Sequence, residues 1–238
     1  FKMLERLCTH PNVGAVLLVS LGCEGFDKGR LLDAVRATGR PAELLVIQEA
    51  GGTKTSIAEG RAWVDRTLAQ LKDTPRVPMG IDELVVGTIC GGSDATSGLT
   101  ANPAMGRAFD FLVEKNATCI FEETGELIGM EHWMAERAEN PGLGGEIVKT
   151  VAKAAKYYAI YGHASIGPGN ADGGLTTIEE KSLGAYAKSG QSVISGIVKP
   201  GDVPVRGGLY LLDVVPDGEA RFGFPNISDN AEIAELIA

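Results

Sequence analysis

The stretch Cys90-Gly91-Gly92-Ser93-Asp94-Ala95-Thr96-Ser97-Gly98-Leu99-Thr100-Ala101-Asn102-Pro103-Ala104 packs a thiol, paired glycines, hydroxyls, a carboxylate and an amide together. Thiolates bind soft or borderline metals, hydroxyls and amides orient polar substrates, and glycines let a ligand reach the backbone. Residues 84–89 before it read as a buried strand. Residues 103–115 after it predict a helix with Pro103 in its first turn. Open α/β sheets bind ligands in such polar, glycine-rich strand-to-helix loops. Ser93, Asp94 and Thr96 also suit plain turn capping. That explains one or two of these residues but not their density.

Four other clusters carry chemistry. Gly22-Cys23-Glu24-Gly25 ends the predicted strand 13–21 and sets a thiol beside a carboxylate, a metal-ligand pairing or simply a thiol and a solvated Glu. Gln48-Glu49-Ala50-Gly51-Gly52-Thr53-Lys54 offers a helix N-terminus to an anion, or a tight turn with Thr53 as N-cap. It is neither a Walker loop nor GxGxxG. Glu122-Glu123-Thr124-Gly125-Glu126, with Glu131-His132 behind, suits iron or manganese, although acidic clusters are commonly solvated and a lone His structural. Last comes His163 through Gly167-Pro168-Gly169-Asn170-Ala171-Asp172-Gly173-Gly174-Leu175, leading to a helix with Lys181 and Lys188. It suits a polyanionic acid, or equally a surface loop with solvated lysines. No GxSxG elbow, HExxH or kinase motif set occurs.

The elements that must position these residues alternate. Strands are expected at 13–21, 42–48, 84–89 and 117–121, and helices at 28–37, 53–71 and 103–115. In the second helix Ile57, Trp63, Val64, Leu68 and Leu71 form an apolar stripe. The alternation predicts an α/β fold, an open, mostly parallel sheet of βαβ units (Rossmann-like). A mixed, helix-rich region follows: helices at 127–138, 145–161 and 175–188, a polar loop at 163–174, an irregular stretch at 189–208, a strand at 209–215 and a helical pattern at 230–238. Prolines cluster at 73–80, suggesting an N-terminal βαβ portion, 1–78, and a glycine-rich-loop catalytic portion, 79–238.

A chain of 238 residues that is 44% hydrophobic supports a sizeable core. Its net charge of −9 argues against a nucleic-acid surface or a polybasic membrane contact. No apolar run approaches the ~20 residues of a membrane helix. The N-terminus is unlike a signal peptide. Four scattered cysteines without a CxxC pair fit a cytoplasmic protein with reduced thiols. Opening at Phe1 and stopping inside a helical pattern, the chain is expected to be a piece of a longer protein.

Four stretches together resemble the altronate and galactarate dehydratases, a group that includes the large subunit of sulfolactate sulfo-lyase. They are Gly22-Cys23-Glu24; Cys90-Gly91-Gly92-Ser93-Asp94 through Ser97-Gly98 to Ala101-Asn102-Pro103-Ala104; Glu123 with Glu126; and Gly169-Asn170, Gly173-Gly174-Leu175, Glu180-Lys181, Leu183-Gly184 and Lys188-Ser189-Gly190. The stretch His163-Ala164-Ser165-Ile166-Gly167 is closer to the sulfo-lyase. The resemblance implies a lyase removing water, or sulfite, from a 2-hydroxy acid with Fe2+ (or Mn2+). A small N-terminal domain or small subunit, absent from this chain, goes with it, and a homo-oligomer is expected.

Such chemistry explains the gathering. Losing the C2 proton beside a carboxylate builds a dianionic enediolate, which a metal would stabilise. A base must take that proton and an acid must assist the C3 group. On this reading Cys23, Cys90 and Glu123 bind the metal. Lys181 or His132 is the base, and Asp94 belongs with them. Gly91, Gly92, Ser93, Ser97, Asn102, Asn170 and Lys188 hold the substrate. The expected reaction turns a sugar acid of the altronate or galactarate type into a 2-keto-3-deoxy acid; the alternative releases sulfite and pyruvate from sulfolactate. A non-catalytic acid-binding or scaffold domain would carry the same loops without turnover. Nucleotide binding rests on fold analogy alone.

Overall fold

The leucine- and valine-rich runs of the first two expected strands pair in parallel as β1 (Val16–Ser20) and β2 (Ala42–Val46), with Val16 opposite Ala42 and Ser20 opposite Val46. This is a computed structural model, and it describes residues 1–122, 124–160, 162 and 165–215. The pair belongs to a unit spanning Phe1–Pro78, and a second unit begins at Met79. In the first unit α1 (Lys2–Thr9) precedes β1, and α2 (Lys28–Arg36) connects the strands. The Asp27 carboxylate accepts the Arg30 N–H at 2.9 Å and so starts α2. Arg40 straps the chain before β1, donating from Nε to the Val13 carbonyl at 2.7 Å and from Nη2 to the His10 carbonyl at 3.0 Å.

The helix expected over 53–71 is α3 (Thr53–Leu71), but of its expected apolar stripe only Trp63 and Leu71 are half-buried, and Ile57, Val64 and Leu68 are exposed. Ile57 is 61% exposed and Leu68 56% exposed, while Ser56, Gly60 and Thr67 are buried. Close approach explains the inversion. A Cβ on Gly60 would stand 3.4 Å from the Leu17 side chain and 3.6 Å from that of Leu45. The small side of α3 lets the strand leucines fill the gap between helix and sheet.

The second unit holds β3 (Val85–Ile89), α4 (Ala101–Glu114), β4 (Thr118–Glu122), α5 (Glu131–Glu136), α6 (Pro141–Ala159), α7 (Pro168–Asp172), α8 (Ile178–Lys188), β5 (Ile194–Val198) and β6 (Gly208–Leu212). Its four strands are all parallel, in the order β3-β4-β6-β5. The two central strands are buried along their whole length, as expected of a parallel sheet covered on both faces. Cys119, Phe121, Leu209 and Leu211 meet Phe109 of α4, Met134 of α5 and Ile147 and Val151 of α6. By strand alternation Ile120, Tyr210 and Leu212 belong to the other face, in a cluster with Val198 and Val214.

Three local expectations change in this unit. The stretch 189–208, expected to be irregular, contains β5. Gly196 disguises that strand, because the register shifts between Ile194 and Gly196 and a Cβ at Gly196 would come within 3.1 Å of the Tyr210 ring. The helix expected at 127–138 is a 3-10 turn, Thr124–Leu127, followed by the short α5. Gly129 between them sits at φ +93°, outside helical space. The loop expected at 163–174 contains α7, whose Gly167 N–H donates to Asn170 Oδ1 at 2.9 Å. The helical pattern at 230–238 lies outside the described residues.

Candidate functional site

Parallel strands deliver their carboxyl ends to one edge. In the second unit this edge receives Cys90 after β3, Glu122 at the end of β4 and Asp213 after β6. Cys90 is half-buried, with Sγ 3.4 Å from Ser93 Oγ. Asp94 closes the loop that follows. Its Oδ1 accepts the Thr96 N–H at 2.7 Å, the Thr96 hydroxyl at 2.8 Å, the Ser97 N–H at 2.8 Å and the Ser97 hydroxyl at 3.1 Å. The Thr96 hydroxyl, then the backbone N–H groups of Ser97 and Thr96, hold the carboxyl down at about 2, below its ordinary 3.8. Asp94 is therefore a carboxylate at neutral pH that accepts hydrogen bonds and has no proton to give.

Two asparagines fix this loop to its neighbours. Asn170 Nδ2 donates to the Ser93 carbonyl at 3.0 Å, and the Ala95 N–H reaches the Gly173 carbonyl at 3.0 Å. Asn102, in the first turn of α4, donates to the Gly184 carbonyl of α8 at 2.9 Å. That bond sits where the loop before α4 meets α8 through glycines: a Cβ on Gly98 would lie 2.9 Å from the Gly184 Cα. Further along, Asp110 Oδ1 accepts the Gln191 N–H at 2.8 Å, the Ser192 N–H at 2.9 Å and the Ser192 hydroxyl at 2.7 Å, pinning the chain beyond α8.

Between loop and helix lies a cavity of about 260 Å³, lined on its polar side by Ser93, Asp94, Ser97, Asn102, Glu180 and Lys181. Leu175 and Leu183 are among its apolar walls. Lys181 is 8% exposed. Its Nζ donates to the Ser165 carbonyl at 2.6 Å and pairs with Glu126 Oε1 at 3.2 Å. Glu180 accepts the Thr176 N–H at 2.8 Å and hydroxyl at 2.9 Å; the N–H first, then the hydroxyl, lower its pKa.

Of the expected residues, five therefore meet at one cavity: Ser93, Asp94, Ser97, Asn102 and Lys181. Asn170 supports the loop from behind. Gly91 and Gly92 are exposed on the loop, Gly92 at φ +144°. Lys188 is buried on the same face of α8 as Lys181, two turns on, and does not line the cavity. His132 is exposed on α5 and lines a different groove with Glu136 and Glu139. In the first unit Cys23 is exposed, with Gln48 Nε2 3.9 Å from its Sγ. Beside it Glu24 accepts the Ser20 hydroxyl and the Gly22 N–H, the latter at 2.7 Å. These bonds, Ser20's first, lower the Glu24 carboxyl to about 2. Glu123 lies outside the described residues, as do His163 and Ala164.

Sequence reasoning read Glu126 only as part of an acidic cluster suited to iron or manganese, and gave no role to Glu180 or Ser165. Glu126 has a recognisable signal, an acid three residues beyond Glu123 where a strand ends. The partner that makes it matter is 55 residues away and shows only in the fold. Also missed was Asp213, 2% exposed, which takes Lys153 Nζ at 2.6 Å and Lys199 Nζ at 2.8 Å and so clamps α6 to β5 and β6.

Thiolate and carboxylate donors suit ferrous iron chemically. Among the described residues, no three His, Cys, Asp or Glu side chains gather to hold a metal ion. Likewise, no helix among them is long and apolar enough to cross a membrane.

Known proteins match the chain along most of its length. Residues 81–234 match the family model of D-galactarate/altronate dehydratase, C-terminal, and residues 1–72 that of D-galactarate dehydratase/altronate hydrolase, second domain. The chain is 36% identical over 222 residues to (2R)-sulfolactate sulfo-lyase subunit beta of Chromohalobacter salexigens, covering 90% of this chain and 56% of that one. It is 36% identical over 222 residues to galactarate dehydratase (L-threo-forming) of Escherichia coli, covering 87% and 42%. With altronate dehydratase of Bacillus subtilis the identity is 33% over 216 residues, covering 89% and 43%. The chain spans about half the length of these curated relatives. With both its units matched in chain order, it belongs to the D-galactarate/altronate dehydratase family.

Proposed function

We propose that the protein is a lyase for 2-hydroxy acids, removing water from a sugar acid of the altronate or galactarate type to give a 2-keto-3-deoxy acid. The observation that carries this reading is the cavity beside Lys181, where a buried amine meets hydroxyl, amide and carboxylate groups from a glycine-rich loop. A small polyhydroxy acid needs such surroundings: donors for its carboxylate, partners for its hydroxyls and one group able to move a proton.

Ser93, Ser97 and Asn102 orient the acid, and the Asp94 carboxylate accepts from a substrate hydroxyl. Lys181 takes the C2 proton on its nitrogen lone pair, and the C–H electron pair moves into the enediolate. The resulting ammonium then returns its proton to the C3 oxygen as the C3–O bond breaks, so that water leaves. Cys23, Cys90 and Glu123 belong to the proposal as donors to Fe2+ (or Mn2+), which when bound would supply positive charge to the carboxylate and 2-hydroxyl. A small partner domain or subunit, homo-oligomeric assembly and a cytoplasmic location complete it.

A second substrate reading, sulfolactate giving sulfite and pyruvate, draws on the 36% identity to the sulfo-lyase subunit over 90% of the chain. Anaerobic turnover by the full-length protein, loaded with ferrous iron and supplied with its small partner, separates the two. Altronate, galactarate and sulfolactate are offered, and keto acid and sulfite are measured. Keto acid without sulfite is expected. Sulfite with pyruvate moves the assignment to the sulfo-lyase reaction, and tight acid binding without any turnover moves it to an acid-binding domain. Cys90→Ser is expected to lower iron content and turnover together; retention of both removes Cys90 from the metal.

A further inference from the structure

We infer that Glu126 is the positioning residue that aims Lys181 at the substrate and steadies the charge Lys181 gains. The inference rests on the base role given to Lys181 above. A neutral lysine amine has two N–H bonds and one lone pair. Two acceptors flank Lys181 Nζ: the Ser165 carbonyl at 2.6 Å and Glu126 Oε1 at 3.2 Å. Each accepts one N–H, which leaves the lone pair outside both contacts, and Lys181 lines the cavity. When the lone pair takes the C2 proton, the new ammonium sits beside the Glu126 carboxylate, whose charge favours it.

Glu126 is itself held. It stands in the 3-10 turn at the end of β4, where the Thr124 hydroxyl donates to the Leu212 carbonyl of β6 at 3.0 Å. A Cβ on Gly125 would come within 2.6 Å of the Tyr158 ring, so the turn lies hard against α6. The Ser165 hydroxyl adds a donor to Glu126 Oε1 at 3.5 Å. The other described charged groups at the cavity do not share this task. Asp94 is committed to Thr96 and Ser97, and Glu180 to Thr176.

Glu126→Gln tests the idea in the full-length protein, because it keeps an acceptor and removes the charge. We expect kcat to fall about tenfold or more with KM within about twofold, and Glu126→Asp to recover part of the loss. Unchanged kcat in Glu126→Gln, or a loss confined to KM, overturns the inference. A second readout needs no turnover: the acetylation rate of Lys181 by acetic anhydride, measured by peptide mass spectrometry against exposed Lys115. Without the Glu126 carboxylate to hold Nζ, the Lys181 rate is expected to rise about threefold or more. An equal rate in wild type and Glu126→Gln overturns the pairing. If wild-type protein turns over none of the acids, the proposed function fails, while the acetylation result still decides whether Glu126 controls Lys181. Should Glu126→Gln fail to fold, Glu126→Asp supplies the same comparison, with a longer Lys181 contact and a smaller change in the same direction.

Discussion

Asp94 has the density of partners that a turn cap needs, four donors on one carboxylate oxygen, and that fixes how it answers to acid. Its folded value, about 2, lies below the ordinary 3.8. A carboxyl lowered by folding stabilises fully above its unfolded value, and the contribution disappears as pH falls through the folded one. The urea-unfolding difference between wild type and Asp94→Asn should therefore be narrower at pH 3 than at pH 5; equal differences would show that the cap contributes nothing. Sequence reading found Asp94 and the hydroxyls around it, because turn chemistry is local. It made Lys181 a candidate base but read Glu126 only as part of a metal-suited acidic cluster, because an ion pair between a strand end and a distant helix leaves no local pattern.

At the scale of elements, one wall of the cavity forms where the loop before α4 meets α8 through glycine. Gly98→Ala would set a Cβ 2.9 Å from backbone that cannot give way. A loss of about 1–3 kcal/mol is expected in urea unfolding. Gly145, in α6 with open space around its Cα, is the control: Gly145→Ala should stabilise by about 0.5–1 kcal/mol. If the two variants behave alike, the glycine contact between that loop and α8 is not what sets their spacing.

The same logic governs α3. Ile57→Ser and Leu68→Ser should change unfolding by no more than about 0.5 kcal/mol, whereas Gly60→Leu should cost more than about 1 kcal/mol. The apolar stripe read from the sequence would give the reverse order. Periodicity located α3 to its end residues, yet it missed that Ser56, Gly60 and Thr67 are the residues buried most deeply. Small residues carry no hydrophobic signal, although they let the helix closest to the strands. β5 escaped for a related reason, since Gly196 interrupts the alternation where the Tyr210 ring takes up the space.

Across the whole molecule the α/β class was legible from alternating runs, and the loop after β3 from its composition. Strand order was not. Nothing local says that β6 lies between β4 and β5, or that Asp213 beyond it will hold Lys153 and Lys199. That insertion bears on how the chain is made. β4 ends at Glu122 and β6 at Leu212, so 90 residues must be synthesised before β4 gains its second neighbour. At roughly 5–20 residues per second the wait is about 5–18 s. Through that interval Thr118–Glu122, buried end to end in the finished sheet, has one edge open on the ribosome. The nascent chain is therefore at its most aggregation-prone just before the α8–β5–β6 segment emerges, and chaperone demand should peak there.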